Sequence, residues 1–380
     1  MTDRAGFYRT NYLNGETYES FVPSKLPPNP NIEIDKEITA LLIKANSGIS
    51  VLENISSRIP NSSLFIAAYV RKEALMSSQI EGTQATLEDV FDPLIETNSN
   101  RDVEEVINYI NAAKYAIDRL KTLPLCNRLI CETHRVLLAG VRGQDKHPGE
   151  FRPFQNFIGR RGATLKNAYY IPPCCEDMLK AMYDLERYMN EDDDTEILIR
   201  AALIHYQFET THPFLDGNGR MGRMLIMLFL MSKKVLTTHA LYLSYSLKKY
   251  QSEYYAQLSE VREKGRYEQW IKFFLKAIDD SANDAVQTIN ELIALHDKNE
   301  AAVQSLGRAR INAQRVFDYL TAHPIIEINK TAEALNLSFN TVSAAIKRLI
   351  SIGILEQTNS GRRNKIFAYK DYLDVLRRGT

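Results

Sequence analysis

The chain has 380 residues, enough for two or three domains, and its 44% hydrophobic and 25% charged residues with only 17 Gly and 13 Pro exclude a fibrous or largely disordered protein. Lys plus Arg and Asp plus Glu are equal at 47 each, so the whole chain has no net field drawing it to nucleic acid or an anionic membrane. The balance is uneven, however: residues 307–380 hold 12 basic against 6 acidic side chains, which leaves the body before them acidic.

Residues 1–31 contain Pro23, Pro27, Pro28 and Pro30, a spacing that cannot sustain a helix, and they read as an extended arm. Helical patterning starts at Ile32. Asp102 and Glu105 have the spacing of a capping box, and Val103, Val106, Ile107, Ile110, Ala113 and Ile117 follow as an apolar stripe, predicting an amphipathic helix from Arg101. Between Gly140 and Pro173 the pattern lapses into Gly, Pro, Asn and short β-prone pieces such as Ala168 to Ile171, which predicts a hairpin or flap. The acidic run Asp192 to Asp194 favours a helix start, after which Ile197, Ala201, Ile204 and Phe208 recur every third or fourth position up to His212. Met224 to Met231 is wholly apolar and predicts a helix buried on all sides.

A helix from about Asp279 to Ser305 joins the body to the tail. There, Ile311 to Leu320, Thr331 to Leu335 and Asn340 to Ile352 read as three helices, the last capped by Ser338. Ile354 to Thr358 and Lys365 to Tyr369 follow as a β-hairpin, completing the order of a winged helix. The expected fold is mostly α: a helical bundle with a short β-hairpin flap, plus a C-terminal winged-helix domain. Its expected divisions are 1–100, 101–278, 279–306 and 307–380.

Cys126, Cys131, Cys174 and Cys175 have neither zinc-ligand nor disulfide-framework spacing. The N-terminus has no apolar signal core and no run reaches the ~18 apolar residues of a membrane helix, so a cytoplasmic location with no membrane partner is expected.

The segment with chemistry is His212-Pro213-Phe214-Leu215-Asp216-Gly217-Asn218-Gly219-Arg220-Met221-Gly222-Arg223. Gly217 and Gly219 flank Asn218 just ahead of the buried helix, so backbone N–H groups and the helix dipole can meet an anion there. Asp216 is a hard oxygen ligand suited to Mg²⁺. Arg220 and Arg223, three apart on one helical face, can fork onto phosphate oxygens. His212 is placed as a general base, with an imidazole near its ordinary pKa. A lone His or a Gly-Asn-Gly turn is ordinarily structural; the combination in this order, at a helix start, points to a nucleotide site.

The segment resembles the signature of the Fic family, His-x-Phe-x-Asp/Glu-Gly-Asn-Gly-Arg-x-x-Arg, with every fixed position matched. The resemblance implies a protein adenylyltransferase that moves AMP from ATP to a Tyr, Thr or Ser hydroxyl of a target protein. His212 would take the hydroxyl proton, Asp216 would hold Mg²⁺, and the phosphates would lie against Gly217, Asn218, Gly219, Arg220, Met221, Gly222 and Arg223. Gly149 to Arg152 and Tyr169, Tyr170 and Ile171 resemble the family's flap, whose edge pairs with the target as an added strand. Ser77-Ser78-Gln79-Ile80-Glu81-Gly82 resembles the family's inhibitory helix, so that Ser77 and Glu81 would engage Arg223 and deny it to the γ-phosphate. Where relatives have an Asn lining the adenine pocket this chain has Tyr250, which leaves adenine, uracil and guanine open.

Two functions from different classes follow. One is a self-inhibited adenylyltransferase, with removal of AMP as a further activity of Glu81. The other is a transcription regulator whose body senses nucleotide and whose tail reads DNA. The tail offers Lys347 and Arg348 on its third helix and Arg362 and Arg363 at the wing tip as phosphate partners, and protein docking is its other use. The arm and tail are the segments a homodimer would use. An intact His212 favours the enzyme, because a pure sensor needs no base.

Overall fold

The computed structural model describes residues 4–13, 15–58, 62–94, 100–160, 162–192, 194–237, 241–359 and 365–378. The chain is mostly helical, as the periodicity predicts. It opens, however, with a hairpin rather than an extended arm: β1 (Gly6–Leu13) and β2 (Glu16–Pro23) pair antiparallel from Gly6 opposite Pro23 to Leu13 opposite Glu16. The prolines that suggested an arm mark the end of β2 and the turns after it. Phe21 on β2 is buried, and its N–H donates to the Ile171 carbonyl at 3.0 Å, which sews the hairpin to the flap.

The body is a bundle of α1 (Lys36–Arg58), α2 (Ser62–Ile80), α3 (Leu87–Phe91), α4 (Arg101–Leu120), α5 (Asn127–Leu137), α6 (Cys175–Asn190), α7 (Ile197–Thr211), α8 (Asn218–Ser232), α9 (Leu243–Lys249), α10 (Gln251–Lys264) and α11 (Tyr267–Gln304). α8 is the central rod. Met221, Met224, Leu225, Ile226, Leu228, Phe229 and Leu230 are all buried, and α2, α4, α5 and α7 pack around it. Burial of each such side chain stabilises by roughly 1.5–3 kcal/mol, so α8 is fixed by its all-round apolarity rather than by one stripe. α11 runs along α1 and is tied to α7 where the Trp270 indole N–H donates to the Ala202 carbonyl at 2.9 Å.

The helix starts differ from the sequence signals in an informative way. α4 is capped by Asn100, whose side chain accepts from the Asp102 N–H, while Glu105 turns inward and is buried. α7 begins after the acidic run, capped by Glu196, which accepts from the N–H groups of Leu198 and Ile199. The helix expected from Asp279 starts at Tyr267 and is continuous for 38 residues.

The tail contains α12 (Arg310–Leu320), β3 (Ile325–Glu327), α13 (Ile328–Leu335), α14 (Phe339–Ser351), β4 (Glu356–Gln357), β5 (Ile366–Ala368) and α15 (Lys370–Arg377). Ser338 caps α14 as expected, accepting from the Thr341 N–H. The hairpin pairs β4 with β5, and β3, which the sequence reading missed, completes a three-stranded sheet in the order β3-β5-β4. The wing-tip arginines Arg362 and Arg363 lie outside the described residues. No helix among the described residues is long and apolar enough to cross a membrane.

Candidate active site

The loop from His212 to Gly217 joins the end of α7 to the start of α8. His212 ends α7 because it adopts a left-handed conformation (φ 48°) and Pro213 follows, which cannot continue the helix. Asn218 closes the loop on itself: its Oδ1 accepts from the Phe214 N–H at 2.9 Å and its Nδ2 donates to the Phe214 carbonyl at 2.8 Å. Gly217 has φ 75°, and any Cβ there would press on His134.

His134 on α5 was not singled out from sequence, because nothing near it in the chain marks it. Its Nδ1 accepts from the Gly149 N–H at 2.9 Å, which fixes the tautomer, so Nε2–H donates to the Asp216 carbonyl, also at 2.9 Å. The ring stacks on Phe214 with centroids 3.7 Å apart, and burial pushes its pKa down to about 4, keeping it neutral. His134→Ala is expected to lower stability by ~2–4 kcal/mol and to loosen the loop, as measured by chemical denaturation and hydrogen exchange of residues 212–219.

Arg152 and Asn156 hold the loop from the flap side. The Arg152 Nε donates to the His212 carbonyl at 3.0 Å, its Nη2 donates to the Pro173 carbonyl, and Asn156 Nδ2 reaches the carbonyls of His212 and Phe214 at 3.3 and 3.0 Å. The flap is slighter than the predicted hairpin: a single bridge pairs Ile158 with Tyr170, while Tyr169 is exposed beside it. Tyr170 is anchored by its hydroxyl, which donates to the Thr210 carbonyl at 2.6 Å.

The His212 side chain is half-buried, and its Nδ1 is buried without a hydrogen bond, which leaves Nε2 as the nitrogen open to a reactant. Burial lowers its pKa to about 4, against the Glu209 backbone, which favours a proton on the ring; nearby Arg152 adds to the lowering. The expected value near that of a free imidazole is thereby corrected. The ring is neutral throughout the physiological range, the form a general base requires.

On the other side of the loop, Arg223 is almost wholly enclosed and meets three acceptors from one segment. Its Nε donates to Ser77 Oγ at 2.9 Å, and its Nη2 donates to the Ser77 carbonyl and to Glu81 Oε1, each at 2.8 Å. Glu81 lies just past the C-terminus of α2, where the helix dipole disfavours a carboxylate. Burial also opposes its ionisation, but Arg223, with Arg220 behind it, outweighs both and holds the carboxyl below its ordinary range. A Cβ on Gly219 would collide with Glu81 Oε1 and touch Arg223 Nη1. The carboxylate therefore lies directly on the N-terminus of α8, an anion position served by backbone N–H groups.

Arg220 is fully buried, paired with Glu105 at 3.3 Å and with Asp216 at 3.5 Å, and its Nε and Nη2 have no hydrogen-bond acceptor. Glu105 also meets Arg142 and Thr83. Asp216 Oδ1 accepts from the Gly217 N–H at 2.6 Å, and the carboxylate is 31% exposed, so hard oxygen ligation remains open to it. That donor fits a divalent cation such as Mg²⁺, whose charge would offset that of phosphates.

Three of the expected residues are placed elsewhere. Met221 is in the core, Gly222 faces the Glu209 carboxyl, and the Tyr250 hydroxyl reaches toward Asp280 on α11 at 3.3 Å. From α10, Gln251 instead donates to the Ile80 carbonyl at 3.2 Å, and Tyr255 stands near enough to Glu81 for that carboxylate to raise its pKa, after burial.

Glu73 and Ser77 on α2 and Glu81 just past its end form a polar stripe with a four-residue spacing. Glu73 accepts from the Ser244 N–H at 3.1 Å and from its hydroxyl, and burial pushes its carboxyl up to about 7. A raised carboxyl pKa is stability fully present below about pH 4.5 and lost as pH rises through about 7. Glu73→Gln is therefore expected to stabilise the protein at pH 8 by up to roughly 3 kcal/mol and to change little at pH 4.5, read as unfolding midpoints at the two pH values.

Residues 39–118 match the model of the Fic/DOC family N-terminal region, and residues 124–230 that of the Fic/DOC family itself. Proteins named protein adenylyltransferase Fic from Drosophila sechellia and Drosophila melanogaster are 31% identical over 138 residues, 36% of this chain but only 25% of theirs. The chain thus matches about a quarter of the length of these relatives. A Fic family protein from Desulfovibrio desulfuricans G20 shares the fold, with a TM-score of 0.57 and 21% identity, covering 89% of this chain and 97% of that one. Through two adjoining segments, one carrying Ser77 to Gly82 and the other His212 to Arg223, the chain belongs to the Fic/DOC family.

Proposed function

We propose that the protein is an adenylyltransferase that moves AMP from ATP to a hydroxyl side chain of another protein, and that Glu81 holds it inhibited. The observation that carries the reading is the neutral His212 placed beside the N-terminus of α8, where a carboxylate of the same chain takes the anion position. The two buried donors of Arg220 without acceptors support an anionic ligand at the same place. So do the adenylyltransferase names of the Drosophila relatives.

In this reading Gly217 to Gly219 present backbone N–H groups to the phosphates, Arg220 and Arg223 hold their outer oxygens, and Asp216 would hold Mg²⁺, which neutralises phosphate charge when bound. The target hydroxyl lies between the flap and His212. His212 takes its proton as the hydroxyl oxygen attacks the α-phosphorus. The bond to the bridging α–β oxygen breaks, and pyrophosphate leaves with the electron pair. Electrostatic stabilisation at the α8 N-terminus supplies most of the rate, with a positioned base adding roughly 10²–10⁴. Residues 307–380 are read as a winged helix that helps place a partner.

The test is incubation of the full chain carrying Glu81→Gly, which releases the site, with ATP labelled at the α- or the γ-phosphate, in the presence of Mg²⁺ and a cell lysate. Label from the α-phosphate is expected to become covalently bound to protein and label from the γ-phosphate to leave as pyrophosphate. Protein-bound γ-label, or none from either, would overturn the reading.

A further inference from the structure

The cations around the loop are mostly satisfied. Arg223 has Glu81 and Ser77, Arg220 is ion-paired with Glu105 and Asp216 although its Nε and Nη2 lack a hydrogen bond, and Arg152 directs its fork at the carbonyls of His212, Phe154 and Pro173. Arg262, in the last turn of α10, differs. Its hydrogen bond is to Ser259 Oγ one turn earlier at 2.9 Å, and its guanidinium lies 4.2 Å from the centre of the Tyr170 ring. No carboxylate of the described residues is within ion-pair distance of it, although it is half-buried. An arginine so placed has lost part of its hydration without forming an ion pair, its charge acting at longer range on the Glu209 carboxyl that burial pushes up to about 7, so it gains more than a surface arginine from an incoming anion.

Its position is defined by elements other than those of the phosphate site. Tyr170 belongs to the flap and is fastened to the Thr210 carbonyl, two residues before His212. Arg262 thus approaches His212 from α10 and the flap, whereas Glu81, Gly219 and Arg223 approach from α2 and α8. The same guanidinium is felt by His212 and by Tyr8 on β1, which places it where β1, the flap and the base converge.

We propose that Arg262 is a specificity-determining residue that receives a carboxylate of the acceptor protein close to the hydroxyl being modified. The inference rests on the transferase reading above. A planar carboxylate matches the guanidinium fork bidentately while the Tyr170 ring supports its other face. The preferred acceptor is accordingly a hydroxyl with Asp or Glu near it in sequence or in space.

The test uses the full chain carrying Glu81→Gly, with α-labelled ATP and Mg²⁺. The substrates are peptides with a single Tyr, Thr or Ser flanked within three positions by Asp or Glu, by Asn or Gln, or by Lys. Acidic flanks are expected to raise kcat/KM roughly tenfold or more over neutral ones, mainly through peptide KM. Arg262→Glu should reverse the preference toward Lys, Arg262→Lys should keep the acidic preference at reduced size, and the KM for ATP should stay unchanged. Thermal unfolding of each variant shows whether loss of the Tyr170 contact has disturbed the fold, and the Lys variant keeps the test decisive if the Glu variant unfolds. An absence of charge preference in the parent overturns the assignment, as does an Arg262→Lys variant whose ATP KM rises while its peptide KM is constant. Absence of label on every peptide and on lysate proteins overturns the transferase reading itself, and this assignment with it.

Discussion

Replacing Glu81 by Gly is expected to raise transfer of α-label to protein by at least tenfold, self-labelling included. The substitution removes the carboxylate lying on the α8 N-terminus and one of the acceptors that hold Arg223. It also has a cost: Arg223 is left enclosed with Ser77 as its remaining hydrogen-bond partner among the described residues, and breaking a buried pair by deleting one member typically destabilises by ~3–5 kcal/mol. The variant should therefore melt lower than the parent without ligand and regain much of the difference on adding ATP and Mg²⁺, because phosphate replaces the missing anion. Label incorporation and thermal unfolding with and without nucleotide check both halves. A variant no more active than its parent, or one that nucleotide does not stabilise, would remove the case that Glu81 occupies a phosphate position.

The second large effect is on His212. In the Glu81→Gly background, His212→Ala is expected to lower label transfer by roughly 10²–10⁴ while leaving ATP binding nearly intact, because the cradle and the arginines are untouched. Retained transfer would sink the role of base. The pH profile adds an independent check. With burial holding the ring near 4, transfer should remain flat from pH 8 down to 6 and fall only on further acidification. Bound phosphates raise this value, so the acid limb lies above about 4 and below pH 6.

What could be read from the sequence was what is contiguous in it. The His212 to Arg223 segment holds its loop, its phosphate-facing glycines and its helix start within twelve residues, so order and spacing alone place them together. The all-apolar run of α8 was equally plain, since a helix buried on every side needs no partner to be identified. The supporting residues had no such mark. His134 on α5, Glu105 on α4 and Arg262 on α10 come from separate helices and converge only through packing. Glu105 illustrates the difficulty: its spacing from Asp102 resembled a capping box, and only the inward face of α4 shows that it pairs with Arg220. The N-terminal hairpin was missed because four prolines outweighed the alternating residues before them, although Asn14-Gly15 is a hairpin-turn signal. Tyr250 was aligned by resemblance, and a helix boundary at that residue turns its ring toward α11.

α11 joins the two parts of the molecule in a way that bears on how they can move. Its 38 residues contain neither Gly nor Pro, and at 1.5 Å per residue they form a rod of about 57 Å. Near its start Trp270 is bonded into α7. Near its end Asn299 donates to the Tyr369 hydroxyl at 2.6 Å, inside the tail. A rod with no joint transmits torque along its own length, and the Asn299 bond passes it to the tail. A partner gripping α14 would turn the tail and, through α11, load the helix against which α1 and α9 are packed.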